Sequence, residues 1–301
     1  MFITRFHQYL NERFPPLQHG LLIATFSFSA LGYSLICRGK NFIPWTDFAA
    51  GVGVIIGIFY LLRVADEHKD AAEDRLNRPH LPVPRGLVSL RELRGTAIAV
   101  LALQIGVIGW FFPQLYALHF AILGYLALMT VEFGVPKWLQ ARPLFYVTSH
   151  MLIIPLVDLF ASGLDWRLAG AAAPAQMGWF FALSFFNGLV LEVGRKLRAP
   201  ANEEPNTYSY QFGAARASAL FFGVLCATVC LALATVYAAG LPLRYGAWLF
   251  VFVPVAAALI RSYLKNQTTA SAKRLEILSG VWTLAMYLSV GGAPFLFHEI
   301  A

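Results

Sequence analysis

Apolar residues run in long blocks along this chain, and short polar loops separate the blocks. Nine blocks have lengths near the roughly 20 residues that an α-helix needs to cross a bilayer. They cover 20–38, 46–64, 95–112, 114–133, 143–162, 173–194, 214–238, 245–264 and 276–297. Pro113 alone marks the boundary between the third and the fourth, as a tight turn. Pro155 and Pro254 fall inside spans and predict kinks there, which a membrane bundle tolerates. Residues 1–19 follow another pattern. Phe2, Ile3, Phe6, Leu10 and Phe14 recur at roughly helical spacing among polar residues, which predicts a helix lying in the membrane interface. No short apolar core there precedes a small-residue cleavage site, so a signal peptide is not expected. The pattern divides the chain into an interfacial segment, 1–19, and a transmembrane domain, 20–301. It predicts an all-α membrane protein built as a nine-transmembrane-helix bundle.

Composition agrees with this reading. Of 301 residues, 58% are hydrophobic and 13% charged, against roughly 45–50% and about 25% in soluble domains. Mean hydropathy is +0.62. A disordered chain, a nucleic-acid-binding domain and a soluble enzyme are excluded. The net charge of +7 comes from loop residues and reads as membrane topology. Nineteen Lys and Arg residues fall on one side: Arg5 and Arg13, seven from Arg63 through Arg94, Lys137 and Arg142, Arg195, Lys196, Arg198 and Arg216, then Arg261, Lys265, Lys273 and Arg274. Arg38, Lys40, Arg167 and Arg244 are the four on the other. The positive-inside rule makes the first side cytoplasmic. It places the N-terminus inside and the C-terminus outside, in a membrane such as the bacterial inner membrane. Cys37, Cys226 and Cys230 all sit in apolar stretches and form no disulfide framework.

The candidate chemistry lies in cytoplasmic loops. After the second span, Asp66, Asp70 and Asp74 are spaced i, i+4, i+8, which puts them on one face of a continuing helix. Like charges at that spacing repel. A divalent cation relieves the conflict, and Mg²⁺ suits carboxylate and phosphate oxygens. A solvated acidic helix end is the plain alternative, but Arg63, Lys69, Arg75, Arg78 and Arg85 crowd around these aspartates. The run Asp66-x3-Asp70-x3-Asp74-x2-Asn77-Arg78-Pro79-x2-Pro82-x-Pro84-x-Gly86 resembles the first signature of the UbiA superfamily of intramembrane prenyltransferases. That signature typically reads NxxxDxxxD followed by N-R-P-x-R-P-x-P-S-G. Asp66 stands where the family usually has Asn, Leu81 replaces the second Arg, and Arg85 replaces Ser. The resemblance implies Mg²⁺ on Asp66, Asp70 and Asp74, with Asp70 and Asp74 catalytic and Arg78 and Arg85 beside the diphosphate.

The loop after the sixth span matches the family less well. Its second aspartate motif is missing; Glu192, Asn202, Glu203 and Glu204 are the available acidic or amide groups, among Arg195, Lys196 and Arg198. Thr207 and the distance from the first motif do fit. The resemblance then implies Glu192 as a further metal ligand, with Arg195, Lys196, Arg198 and Tyr208 on the diphosphate side. Lys137 matches the first half of a family Lys-Arg pair that holds diphosphate, and Arg142 follows it. Within the spans, Phe pairs at 111–112, 180–181, 185–186 and 221–222 could line a prenyl tunnel or face lipid. Tyr146, His150 and Asp158 lie in the fifth span, where ionisable groups are costly. His150 is a candidate for acceptor contact, and Asp158 for a base near the outer end. Arg13 lies where some quinone-pathway relatives carry an acceptor Arg, in a context too different to carry the role over.

The expected function is Mg²⁺-dependent transfer of a prenyl group from a prenyl diphosphate to a lipophilic acceptor, aromatic or polyene. The active-site mouth is expected on the cytoplasmic side, with membrane lipid around the bundle, no nucleic acid and no obligatory protein partner. A UbiA-type terpene cyclase is one alternative. A transporter or lipid-binding membrane protein is another, although transporters place their charges near the midplane. Orientation has a direct test in a background with Cys37, Cys226 and Cys230 replaced by Ala. Arg167→Cys should label from outside intact cells and Arg85→Cys only after permeabilisation; the reverse pattern would invert the topology.

Overall fold

In the computed structural model, residues 2–297 are described, and they form helices joined by short loops. An N-terminal helix α1 (Phe2–Arg13) precedes the first span, α2 (Pro16–Cys37). The second span is α3 (Trp45–Lys69), followed by the short α4 (Ala71–Asn77). The third is α5 (Leu90–Phe111), and the fourth is α6 (Tyr116–Thr130), entered through a 3₁₀ turn, Pro113–Leu115. After the small α7 (Pro136–Gln140), the fifth span is α8 (Pro143–Met151) and α9 (Ile153–Trp166). Next come α10 (Met177–Arg195), the short α11 (Tyr208–Phe212) and α12 (Ala214–Ala238). The eighth span joins α13 (Arg244–Ala247) to α14 (Phe252–Asn266), and the ninth joins α15 (Thr269–Tyr287) to α16 (Ala293–Phe297). Among the described residues, nine helices are long and apolar enough to cross a membrane. The C-terminus, expected outside, lies beyond the described residues.

Local chemistry accounts for the breaks. Pro155 has no N–H to give Met151, and its ring opposes that carbonyl; the fifth span breaks at Leu152. Pro254 acts likewise on Phe250, inside the 3₁₀ turn Trp248–Val251. Phe112 leaves helical geometry (φ −151°, ψ 64°) just before Pro113, so the third and fourth spans do separate there. Ser89 and Glu92 close a capping box at the start of α5. Several boundaries differ from the sequence pattern, three of them by five residues or more. The second span continues as helix five residues past 64, to Lys69, the third begins at Leu90 rather than 95, and the ninth begins at Thr269 rather than 276.

The bundle is organised around α2, which packs on α9, α3 and α15. Of its apolar stretch 61% is buried, against 17% for α5, which leaves α5 facing lipid. Small residues allow the closest approaches, as they do in membrane bundles generally. Ser29 Oγ donates to Tyr287 O at 2.6 Å, where the ninth span widens into a π-helical turn, Leu288–Gly292. A Cβ on Gly291 would fall 2.0 Å from Ser29 O, a backbone atom.

The N-terminal helix docks on the bundle, with Tyr9 and Phe14 buried. Three ion pairs fasten it: Arg5 to Glu92 at 2.8 Å, Glu12 to Arg85 at 2.7 Å, and Arg13 Nε to Glu67 Oε1 at 2.6 Å. The first two are open to solvent and contribute little. The third is buried, with the Glu67 side chain 1% exposed.

Two stability predictions follow from these contacts. Gly291→Ala should push α2 from the ninth span and cost about 1–3 kcal/mol of overpacking, read as a lowered unfolding temperature in detergent. Gly53→Ala, with nothing within 4 Å of its Cβ, should leave that temperature unchanged. Removing either partner of the buried pair, by Glu67→Gln or Arg13→Gln, should cost about 3–5 kcal/mol, and the double variant clearly less than the sum.

Candidate active site

The first loop keeps its aspartates in helical register although the helix is interrupted. Asp66 lies on α3, and Asp70 is the junction residue between α3 and α4 (φ −90°, ψ 1°). The Asp70 N–H donates to Asp66 O and the Asp74 N–H to Asp70 O, both at 2.9 Å. Asp74 is 2% exposed. Arg78 Nε approaches its Oδ1 at 3.3 Å, while that oxygen still lacks a hydrogen bond. Arg78 also lies 3.5 Å from Glu204 Oε2 and so bridges to the loop after the sixth span. Arg63 is 3.8 Å from Asp66.

Asp70 is different. Its neighbours Asp66, Glu67, Glu73 and Asp74 each have a cation within ion-pair distance; among the described residues Asp70 has none. Burial pushes its carboxyl up to about 6; Lys69 opposes the rise, and the charges of Asp66, Asp74 and Glu73 add to it. Among the described residues, no three His, Cys, Asp or Glu side chains converge into a metal cage. Mg²⁺ needs no such cage, since it is usually held by one or two carboxylates plus substrate phosphates and water. The unpartnered Asp70 and the orphaned Oδ1 of Asp74 fit that mode.

Glu192 is paired instead. Arg195 Nε donates to its Oε2 at 2.6 Å and Lys196 Nζ reaches its Oε1 at 2.8 Å. Each of its oxygens contacts a cation, so Glu192 anchors two basic side chains. Lys196 also sits 5.7 Å from the centre of the buried Tyr208 ring. Burial, and then the charge of Glu192, hold the Tyr208 phenol above its ordinary range. Arg195, with half its side chain exposed, is near enough to Asp66 for the two charges to interact. The mouth thus gathers Asp66, Asp70, Asp74, Arg78, Arg195, Lys196 and Tyr208.

Other sequence candidates lie elsewhere. Arg85 is held by both oxygens of Glu12, at 2.7 and 3.0 Å. Arg198 is held by Glu276 at 3.0 Å, and its carbonyl accepts from the Tyr263 hydroxyl at 2.7 Å; it braces the loop against α15. Lys137 is exposed on α7, which packs on α8. Arg142 stacks on Trp138 at 4.5 Å. Asp158 is fully buried on α9, eight residues from the end of that span opposite the mouth.

Two features escape a sequence reading. Glu67 looks dispensable because it points off the aspartate face; the structure buries it against Arg13, 54 residues away. The second is a cluster at the ends of α6 and α8. Lys69 Nζ donates to the Tyr146 hydroxyl at 2.9 Å and lies 3.1 Å from Glu132 Oε1, to which that hydroxyl donates at 3.1 Å. His150 stacks on the Tyr146 ring at 4.0 Å, and its Nε2 lies 3.4 Å from Glu132 Oε2. Glu132 and Phe133 hold φ of 51° and 53°, left-handed geometry that costs of order 1–3 kcal/mol per residue outside glycine. Ionisable residues Tyr146 and His150 inside an apolar span were the visible signal, and Glu132 falls at the end of the fourth span in the sequence pattern.

No protein-family model matches this sequence, and no curated protein matches it either. Solved structures do. A UbiA homologue from Aeropyrum pernix K1 superposes with a TM-score of 0.65 over 88% of this chain and 96% of its own, at 16% identity. A digeranylgeranylglyceryl phosphate synthase, described in membranes, gives a TM-score of 0.61 over 96% of this chain and 99% of its own, at 14% identity. With so little identity the likeness is one of architecture, and it agrees with the resemblance carried by the aspartate loop. The fold of this chain is the UbiA fold.

Proposed function

We propose that the chain is an intramembrane prenyltransferase of the UbiA superfamily that takes a prenyl diphosphate and a lipophilic acceptor, with its mouth on the cytoplasmic side of a bacterial inner membrane. The observation that carries this reading is Asp70, a partly buried carboxylate without a cation partner, at the mouth of a bundle with the UbiA fold. A half-buried anion beside Asp66 and Asp74 calls for a positive charge from outside the protein. Basic side chains across the same mouth call for an anion.

Asp70 and Asp74, with Asp66 behind them, would hold Mg²⁺, which when bound neutralises charge developing on the departing diphosphate. The chain's own residues do the rest. Arg195 and Lys196, oriented by Glu192 and by the Tyr208 ring, present donors to diphosphate oxygens, and Arg78 does so from the facing loop. Preorganised charges of this kind stabilise a leaving group without reorganising during the step. Asp66 in the usual Asn position adds negative charge on the metal side, and Arg195 and Lys196 supply positive charge where relatives carry acids. The apolar helices take the prenyl tail and shield the allylic cation from water until the acceptor captures it.

The test is diphosphate release from geranyl, farnesyl and geranylgeranyl diphosphate by purified protein, with and without Mg²⁺. Asp70→Asn and Asp74→Asn should slow release by about 100-fold or more, the scale of losing one preorganised electrostatic contact, with Asp66→Asn much milder. Wild-type rate and Mg²⁺ dependence in Asp70→Asn would overturn the assignment.

A further inference from the structure

The end of the bundle opposite the aspartate loop holds a cavity of about 320 Å³, between the last turns of α2 and α9 and the first turn of α3. Asp47, which lines it, and Asp66 both lie on α3, about 28 Å apart along the helix axis. That separation is close to the roughly 30 Å of a bilayer's hydrocarbon core, so the cavity opens at the level of lipid headgroups. Phe42, on its wall, and the neighbouring Trp45 are more than half exposed, as aromatic residues commonly are at a membrane interface.

The charges around this cavity are unevenly matched. Asp165 is buried, and it accepts from the Ser34 hydroxyl at 2.7 Å and from Arg38 Nη1 at 2.5 Å. Among the described residues, the other two nitrogens of that guanidinium have no partner. Lys40 is exposed and is set beside Arg38 by the way α2 ends. Gly39 takes a φ of 65° there, and the Lys40 N–H closes on Leu35 O at 2.8 Å, the Schellman arrangement. Asp47 sits in the first turn of α3, where its charge suits the helix dipole. Neither the Lys40 nor the Asp47 side chain has an ion-pair or hydrogen-bond partner among the described residues. The cavity thus offers an open guanidinium edge, an ammonium and a separate carboxylate, and its four charges sum to zero. Leu35, Leu164 and Leu168 complete an apolar wall with Phe42.

We propose that this cavity binds the headgroup of a phosphatidylethanolamine lipid, with the phosphodiester at Arg38 and Lys40, the ammonium at Asp47 and the acyl chains along the apolar wall. Charge complementarity selects this occupant. A phosphodiester carries one negative charge, and a guanidinium with open N–H groups holds its oxygens directionally. Phosphate alone, or a glycerol headgroup, answers the cations but brings nothing to Asp47. A choline headgroup brings a cation that has no N–H to donate to the carboxylate. The site stands apart from the prenyl-transfer reading, since it lies a membrane's thickness from the aspartate loop and its occupant does not react.

The experiment uses the full chain, purified and delipidated in detergent, with one defined lipid added at a time and bound lipid counted by native mass spectrometry. Phosphatidylethanolamine should bind about fivefold more tightly than phosphatidylcholine or phosphatidylglycerol with the same acyl chains, the scale of one charge-assisted hydrogen bond at a partly exposed site. Asp47→Asn should erase that preference, and Lys40→Gln should weaken all three lipids alike. A wild type without the preference, or an Asp47→Asn variant that keeps it, would overturn the proposal. Millimolar inorganic phosphate should leave the bound lipid in place; displacement by phosphate alone would make this a site for the free anion instead. A second readout fixes the place and needs no variant. Phosphatidylethanolamine carrying a photoreactive group near the start of one acyl chain should label peptides that contain Phe42 or Leu168, and labelling confined to other segments would overturn the assignment.

Discussion

A charge taken out of water must be matched, and the end of this bundle that carries the aspartate loop is built under that constraint. An unpaired ion in a low-dielectric interior costs several kcal/mol even after relaxation. Acid by acid, the chain meets it: Asp66 with Arg63, Glu67 with Arg13, Asp74 with Arg78, Glu132 with Lys69, Glu192 with Arg195 and Lys196. Two of these pairs join separate elements, Glu67 with Arg13 and Glu132 with Lys69, so the contacts that neutralise charge there also fix how α1 and the end of α6 meet α3. Asp70 stands outside the pattern. Under the proposed function, this uncompensated anion at the junction of α3 and α4 is where a cation would bind.

Pairing also balances the loop after the sixth span. Glu192 there pairs with the two bases next to it. Glu192 sits three and four residues before Arg195 and Lys196, which places all three on one turn at the end of α10. The consequence is a mouth with one acidic wall and one basic wall. Under the proposed function, diphosphate recognition would depend more on guanidinium and ammonium donors, whose geometry is directional for Arg and point-like for Lys.

The spans were legible in the sequence because bilayer thickness sets their length, and the breaks because proline acts locally. The aspartate loop was legible for a similar reason: its spacing matches one helical face whether or not the helix pauses at Asp70. Pairing over distance was not. Nothing near Glu67 points to Arg13, and nothing near Arg85 or Arg198 says that Glu12 and Glu276 will take up their charge. A count of loop cations reports topology well, but it does not tell which of them face the site. The N-terminal helix was legible as a helix, but its docking on the bundle was not, since an amphipathic face fits a protein surface as readily as a lipid surface.

The π-helical turn Leu288–Gly292 has an effect beyond the close approach of Gly291 to Ser29. A residue advances an α-helix by about 100°, and a π-turn absorbs one extra residue within an otherwise continuous coil. The last turn of the ninth span is therefore out of phase with the rest of it. That phase slip sets Phe295 against Phe28, with ring centres 6.2 Å apart, and brings its Cβ within 3.2 Å of the position a side chain on Gly32 would occupy. Two stretches of one helix can thus present different faces to the same neighbour, and the apolar pattern of the final span cannot be continued through the turn by counting.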